Sequence, residues 1–117
     1  MRIFIAGPYG DRNSKEIIAE NVRRSDKIAR DLMAKGHQVF CPHKMLWGWE
    51  DDRRLTRSQF LALDRTFLEL WANAIYQLEG DSPGADEEMK IAKHLKLHVI
   101  TTKRQEKLRE VLPDSQK

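Results

Sequence analysis

The sequence predicts an α/β fold, because short apolar runs alternate along it with longer segments of helical periodicity. Four runs have the length and composition of strands: residues 3–6, 38–41, 74–78 and 98–101. Between them lie segments with apolar residues three and four apart, at residues 14–35, 56–72 and 85–95. Strands joined by crossover helices lie parallel and are covered on both faces. We therefore expect a small flavodoxin-like or Rossmann-like three-layer sandwich with a parallel sheet of about four to five strands.

Turn and cap residues mark the ends of these predicted elements. Two glycines and a proline in residues 7–10 enforce a turn after the first strand, and Asn13 or Ser14 can cap the helix that follows. Pro42 closes the second strand. Residues 43–54 lack a clear period, so we expect them to form a loop.

Length and composition favour one globular domain. The chain has 117 residues, of which 40% are hydrophobic and 33% are charged. We expect the domain to span residues 1–112 and a frayed polar tail to follow at 113–117. No apolar run approaches the roughly 20 residues of a membrane span, and the first run is too short for a signal peptide. These features favour a cytoplasmic protein without a membrane partner.

Charge and cysteine content narrow the function classes further. The net charge is +3, and the basic residues are scattered rather than clustered, so a nucleic-acid-binding domain is supported only by the high isoelectric point. The single cysteine, Cys41, excludes an internal disulfide and a cysteine-rich metal cluster. The histidines lack metal-like spacing. We expect neither a nucleic-acid partner nor a metal or other cofactor.

The residues at 85–95 contain the carboxylate with the strongest case for a chemical role. The apolar stripe of this helix is formed by Ile91, Ala92 and Leu95. At about 100° per residue, Glu88 falls near the centre of that stripe, whereas Glu87 and Asp86 fall about 100° and 200° away. An inward carboxylate is costly unless it has a function or a partner. For Asp86 and Glu87, a favourable interaction with the helix N-terminus is explanation enough.

The turn before this helix has the composition of an anion site. Ser82 can cap the helix, Pro83 suits its first turn, and Gly84 lets a ligand approach the backbone. Free amides and the helix dipole favour an anion there, although an ordinary capped helix start has the same residues. In parallel sheets, ligands bind at the carboxyl ends of the strands. The loops at 7–10 and 81–84 are therefore expected to share one crevice.

Several of these motifs together resemble the nucleoside 2-deoxyribosyltransferase family. The resemblance covers residues 1 to about 101, and its N-terminal part is Ile5-Ala6-Gly7-Pro8-Tyr9. Its second part is Ser82-Pro83-Gly84-x-x-x-Glu88-x-x-x-Ala92, followed by Leu95 and Val99-Ile100. The short phage- and prokaryote-type branch is similar in two further places, Gly36-His37 and Cys41-Pro42-His43.

The resemblance implies N-glycosidic chemistry on deoxynucleosides or their 5′-monophosphates. It assigns Glu88 as the nucleophile that attacks the anomeric carbon, and Ser82 with nearby amides as the region that holds a 5′-phosphate. A positioned carboxylate also suits the oxocarbenium-like transition state of this reaction. The small domain leaves a shallow crevice, which, as in the relatives, favours a homo-oligomer (a dimer or higher) whose neighbour walls the site.

The sequence departs from the family pattern at two places. Family members commonly carry an aspartate at the start of the third strand, and its match here is Asn73, which cannot supply a proton. Asp64 on the preceding helix is a candidate substitute, unless the leaving base needs little protonation. The first strand lacks, near Ile3, the tyrosine that in the family often assists the nucleophile, and Tyr9 is the nearest candidate for that catalytic role.

Further candidates for substrate binding surround the predicted crevice. Gly7 and Pro8 belong to the first loop, Arg12 beside it could bind a phosphate, and His43 could contact a base or a phosphate. Trp47, like Trp49, either packs in a loop core or subunit contact or stacks on a nucleobase. The leading hypothesis is N-glycosidic cleavage or deoxyribosyl transfer. The alternative is a non-catalytic nucleotide-binding or sensing module that retains the crevice.

Overall fold

A computed structural model describes residues 1–9, 14–80 and 83–101 of the chain. Its four parallel strands are β1 (Arg2–Ala6), β2 (Gln38–Phe40), β3 (Ala74–Gln77) and β4 (His98–Thr101). Its helices are α1 (Lys15–Ala34), α2 (Pro42–Leu46), α3 (Arg57–Leu70) and α4 (Pro83–His94), with a short 3₁₀-helix at Trp49–Asp51. The strand order is β2-β1-β3-β4. The predicted fold class is confirmed, while the expected tail at 113–117 lies outside the described residues.

Alternate residues of the central strands pack on opposite faces of the sheet. One core joins strand residues to α3 and α4: Phe4, Ala6, Ile75, Leu68, Ala85, Met89 and Ala92. The other joins strand residues to α1: Ile3, Ile5, Ala74, Tyr76, Ala29 and Leu32. Because β1 and β3 contribute to both cores, they are buried on both sides, as expected for a parallel sheet. The result is the predicted three-layer sandwich.

Side-chain caps fix where two of the helices begin. The hydroxyl of Ser14 accepts a hydrogen bond from the Ile17 amide at 3.3 Å at the start of α1. At the start of α3, the Thr56 hydroxyl accepts from the Gln59 amide at 3.2 Å, and the Thr56 amide donates to the Gln59 side chain at 2.7 Å. This reciprocal capping box satisfies two backbone donors that would otherwise lack partners.

The prediction of a loop at residues 43–54 was wrong over much of its length. Pro42 stands at the first position of α2, and the Cys41 carbonyl accepts hydrogen bonds from the amides of Lys44 and Met45. Proline is preorganised for this position because its φ is fixed near the helical value. A helix of five residues is too short to show an apolar period.

The apolar stripes are also narrower than the sequence predicted. Ile17 and Met33 of α1 are 47% and 61% exposed, and Leu95 after α4 is 40% exposed. Short strands of three to five residues cover only one side of the longer helices. In the part of the chain that the structure describes, no helix is long and apolar enough to cross a membrane.

The loops after β1 and β3 pack against each other at the carboxyl edge of the sheet. The Leu78 amide donates to the Ala6 carbonyl at 2.8 Å. A Cβ atom added at Gly7 would lie 2.6 Å from Leu78 Cβ, and one added at Gly80 would lie 2.9 Å from Pro8 Cγ. Only glycines permit this close approach. Because β1 and β3 are adjacent while their crossovers lead to opposite faces, this is the place where such folds bind ligands.

Candidate active site

Glu88 projects inward from the second turn of α4, which begins after the carboxyl end of β3. Its Oε2 atom is buried and has no hydrogen-bond partner among the described residues. The preceding residues, Asp86 and Glu87, are exposed. This confirms the orientation predicted from the helical period, in which one of the three carboxylates faces the core and the other two meet solvent.

Asp64 lies in the middle of α3, which packs against α4. Its Oδ1 atom is likewise buried and unpaired within the described chain. Burial raises the pKa of Asp64 to about 7. Burial and, secondarily, the nearby charge of Asp64 raise the pKa of Glu88 to about 8. Two carboxyl groups from facing helices therefore form one electrostatically coupled pair.

This pair has the properties of an acid–base site. Because the two groups repel as anions, they titrate together, and near neutral pH the pair retains one proton. A carboxylate and a carboxylic acid can thus coexist, one as nucleophile or base and the other as proton donor. Buried polar atoms without partners destabilise the fold, and such groups are concentrated at functional sites.

The loop after β1 is fixed by hydrogen bonds to two helices. The Pro8 carbonyl lies 2.9 Å from Nε2 of His43, and the Tyr9 carbonyl accepts from Asn21 Nδ2 at 3.1 Å. Because a carbonyl can only accept, His43 must carry a proton on Nε2. Burial lowers the pKa of His43, which keeps the imidazole neutral. His43 therefore holds the loop in place from a buried position.

The Tyr9 hydroxyl points to Glu50, to which it donates a hydrogen bond at 2.8 Å. Burial, and then the hydrogen bond and charge of Glu50, raise the pKa of Tyr9 well above its ordinary value. The phenol therefore stays protonated, and its proton is shared in the hydrogen bond that it donates to the Glu50 carboxylate. This contact could not be predicted from local sequence, because Glu50 lies 41 residues away at the start of an acidic run.

The remaining predicted site residues that the structure describes lie in different parts of the fold. Asn73 precedes β3 and accepts a hydrogen bond from the Arg2 amide at 2.7 Å, so it lies at the amino edge of the sheet, opposite the loops after β1 and β3. Trp47 ends α2 and is 51% exposed. Gly84 lies in the first turn of α4. Arg12 and Ser82 lie outside the described residues.

The sequence predicts Asp64 only as a substitute for Asn73. The position of Asp64 on α3, however, already indicates an inward-facing carboxyl. Asp64 interrupts an apolar stripe on α3 formed by Phe60, Leu63, Phe67 and Leu68. An acidic residue within such a stripe is as unusual as Glu88 is on α4. Among the described residues, no group of three or more histidine, cysteine or acidic side chains could hold a metal ion.

The fold is similar to that of a solved 2-deoxyribosyltransferase from the psychrotolerant bacterium Bacillus psychrosaccharolyticus. The TM-score is 0.62 and the sequence identity is 23%, over 86% of this chain and 71% of that chain. That enzyme is described as a biocatalyst for the synthesis of antiviral and antitumoral nucleosides. No protein-family model matches the chain, and no curated protein matches it significantly. The similarity establishes a shared α/β architecture.

Burial of Glu88 predicts a pH-dependent effect of Glu88→Gln on stability. The folded protein retains the Glu88 proton to higher pH than the unfolded chain, so the wild-type free energy of unfolding falls as the pH rises from about 4 towards 8. At about pH 9, the variant should be more stable by about 2 kcal/mol because it removes a buried charge. At about pH 4, where both states hold the proton, the difference should vanish.

Urea denaturation of the two proteins at both pH values measures this difference. Glu87→Gln, at the exposed neighbouring position, is the matched control and should show no such pH dependence. Equal stability of wild type and Glu88→Gln at about pH 9 would contradict a buried Glu88 carboxyl.

Proposed function

We propose that the protein cleaves or transfers the N-glycosidic bond of a deoxynucleoside or deoxynucleoside 5′-monophosphate, with Glu88 as nucleophile. The observation that carries this proposal is the pair of carboxyls with buried, unpaired oxygens, Glu88 and Asp64, on the two helices that pack against one face of the sheet. Similarity of the fold to a 2-deoxyribosyltransferase supports the same reaction class.

In the first step, a Glu88 carboxylate oxygen attacks the anomeric carbon of the deoxyribose. A C–O bond forms, the C–N bond to the base breaks, and its electron pair leaves on the base nitrogen. In the reactive form of the pair, Glu88 is ionised and Asp64 holds the shared proton, which it donates to the departing base. The negative charge of Glu88 stabilises the oxocarbenium-like transition state before the bond to carbon is complete.

In the second step, a water molecule or an acceptor base attacks the same carbon. The ester bond to Glu88 breaks, and its electrons return to the carboxylate. Asp64, now ionised, accepts the proton that the nucleophile loses, so the pair regains its starting charge. Water gives hydrolysis and a base gives transfer, and the two outcomes share all of the residues above.

Substrate binding is assigned to the two loops at the carboxyl edge. We propose that the amides at the start of α4, with Ser82 and Gly84, receive a 5′-phosphate, since a helix N-terminus favours an anion. Arg12 would add a positive charge. Gly7 and Pro8 would form the floor beside the sugar, held in place by His43.

We further propose that a second copy of the chain covers α3. Leu68 is the only apolar side chain of this 14-residue helix that is fully buried. Leu61 and Leu70 on it are 43% and 84% exposed. Because α3 carries Asp64, a neighbour packed on its outer side would shield the carboxyl pair from water, which would strengthen the electrostatic interactions within it.

The first prediction of this proposal is release of free base that depends on Glu88. Wild-type protein incubated with the four common deoxynucleosides and their 5′-monophosphates should release base, measured by liquid chromatography. Glu88→Ala should reduce the rate by a factor of about 1,000 or more, since it removes the nucleophile. Glu87→Gln is the matched control and should retain the wild-type rate.

The outcomes separate the candidate functions. Base release without an acceptor indicates hydrolysis, and release that requires a second base indicates transfer. Tight nucleotide binding by calorimetry without turnover would contradict the catalytic proposal and support the alternative of a nucleotide-binding or sensing module.

The second prediction is a bell-shaped pH dependence of kcat/KM. Activity requires one proton on the pair, so it should fall below about pH 7 and above about pH 8, following the raised pKa values of Asp64 and Glu88. Asp64→Asn should lower kcat/KM by a factor of about 100 and remove the alkaline limb, because no proton donor is left to ionise.

In the same variant, the one remaining limb should follow the ionisation of Glu88 at a pH below about 8, because the charge of Asp64 that raises the pKa of Glu88 is gone. An unchanged bell in Asp64→Asn would exclude Asp64 as the proton donor.

A further inference from the structure

Glu50 joins the loop after β1 to the segment after α2 through one oxygen atom. Its Oε2 accepts hydrogen bonds from the Tyr9 hydroxyl at 2.8 Å and from the Gly48 amide at 2.9 Å. The segment at residues 47–51, termed here the tryptophan segment, contains Trp47, Gly48, Trp49, Glu50 and Asp51. Hydrogen bonds to a carboxylate are stronger than neutral ones, so this link is a firm one.

The tryptophan segment has weak attachments otherwise. No residue of its 3₁₀-helix is buried. Its ion pair between Asp51 and Lys15 spans 3.9 Å, with both side chains more than two-thirds exposed, and such pairs contribute little. Gly48 has a φ of +90°, which lets the chain turn sharply back between the two indoles. In the described part of the chain, Glu50 is therefore its main polar attachment to the first loop.

The loop after β1, by contrast, keeps its position without Glu50. His43 binds the Pro8 carbonyl and Asn21 binds the Tyr9 carbonyl, so the loop backbone is held from α2 and α1. Loss of the Glu50 carboxylate would thus release the tryptophan segment and the Tyr9 phenol while the loop stays in place. Because the loop and the tryptophan segment have separate attachments, a substitution of Glu50 should affect the segment and not the loop.

The tryptophan segment offers an aromatic surface that is linked to the loop after β1. Trp47 is 51% exposed and Trp49 is 43% exposed, two large apolar side chains within three residues. Indole faces stack on nucleobases irrespective of base identity. Through Glu50, this surface is attached to Tyr9, which belongs to the loop after β1 at the carboxyl edge of the sheet.

We propose that Glu50 is a positioning residue that holds the tryptophan segment as a flap beside the first loop, where its indoles stack on the base of the bound substrate. The inference rests on the proposed function, since it specifies how that site recognises its substrate. A flap that is held in place before the substrate binds reduces the entropy lost on binding. Detaching the flap should therefore weaken substrate affinity more than it slows the chemical steps.

The test compares Glu50→Ala, Glu50→Gln and Asp52→Ala with wild type. Glu50→Ala should raise KM for the deoxynucleoside that turns over about tenfold and change kcat by less than about threefold. Glu50→Gln keeps an acceptor oxygen for Tyr9 and Gly48 and should restore KM to within about threefold of wild type. Asp52→Ala removes a carboxylate just outside the tryptophan segment that pairs with Arg54, so it is the control and should match wild type.

A binding measurement that needs no turnover accompanies the kinetics. In the Glu88→Gln background, the same deoxynucleosides and 5′-monophosphates should quench tryptophan fluorescence, and adding Glu50→Ala should weaken this binding about tenfold. Thermal unfolding of Glu50→Ala checks that the fold is retained; if it is not, Tyr9→Phe, which removes the same hydrogen bond from the other side, replaces it.

The outcomes distinguish this inference from the proposed function. Turnover by wild type with an unchanged KM in Glu50→Ala overturns the inference and leaves the proposed function standing. Quenching that weakens in Glu50→Ala, without turnover by wild type, supports the flap and contradicts the catalytic proposal. Neither turnover nor quenching by wild type overturns both.

Discussion

The carboxyl groups of Asp64 and Glu88 come together where water scarcely reaches, and this arrangement lowers the stability of the folded protein. Each side chain has a buried oxygen without a hydrogen-bond partner within the described residues. Two apolar residues at these positions would stabilise the contact between α3 and α4. The helices instead hold two acids whose pKa values are raised towards neutrality. Such a cost is expected where the shared proton is used in a reaction.

The rest of the structure positions this pair and the loops at the carboxyl edge of the sheet. Small and apolar side chains, among them Ala85 and Ala92, let α4 lie close to β1 and β3. Gly7 and Gly80 let the loops after those strands touch, and His43 fixes the first loop from the opposite layer. The sheet thus supplies rigidity, while the groups proposed for chemistry and binding lie on the helices and loops at its carboxyl edge.

Local patterns predicted the alternating elements and the inward face of Glu88, because strand and helix periods are properties of the nearby sequence. They did not predict α2, which is too short to show a period, nor the bond between Tyr9 and Glu50, which depends on how two distant loops meet. Resemblance to a family suggested Asn73, yet a residue that precedes a strand of a parallel sheet lies at the edge opposite the crevice. Asp64 became a partner of Glu88 only through the packing of α3 against α4.

The most direct test of this account is a ¹³C NMR titration of the side-chain carboxyls in wild type and Asp64→Asn. The account predicts that Glu88 titrates near pH 8 in wild type and at a distinctly lower pH in the variant, because the charge of Asp64 contributes to the shift. Titration of Glu88 near its ordinary value of 4.5 in both proteins would contradict the account, since no buried, coupled pair would then exist.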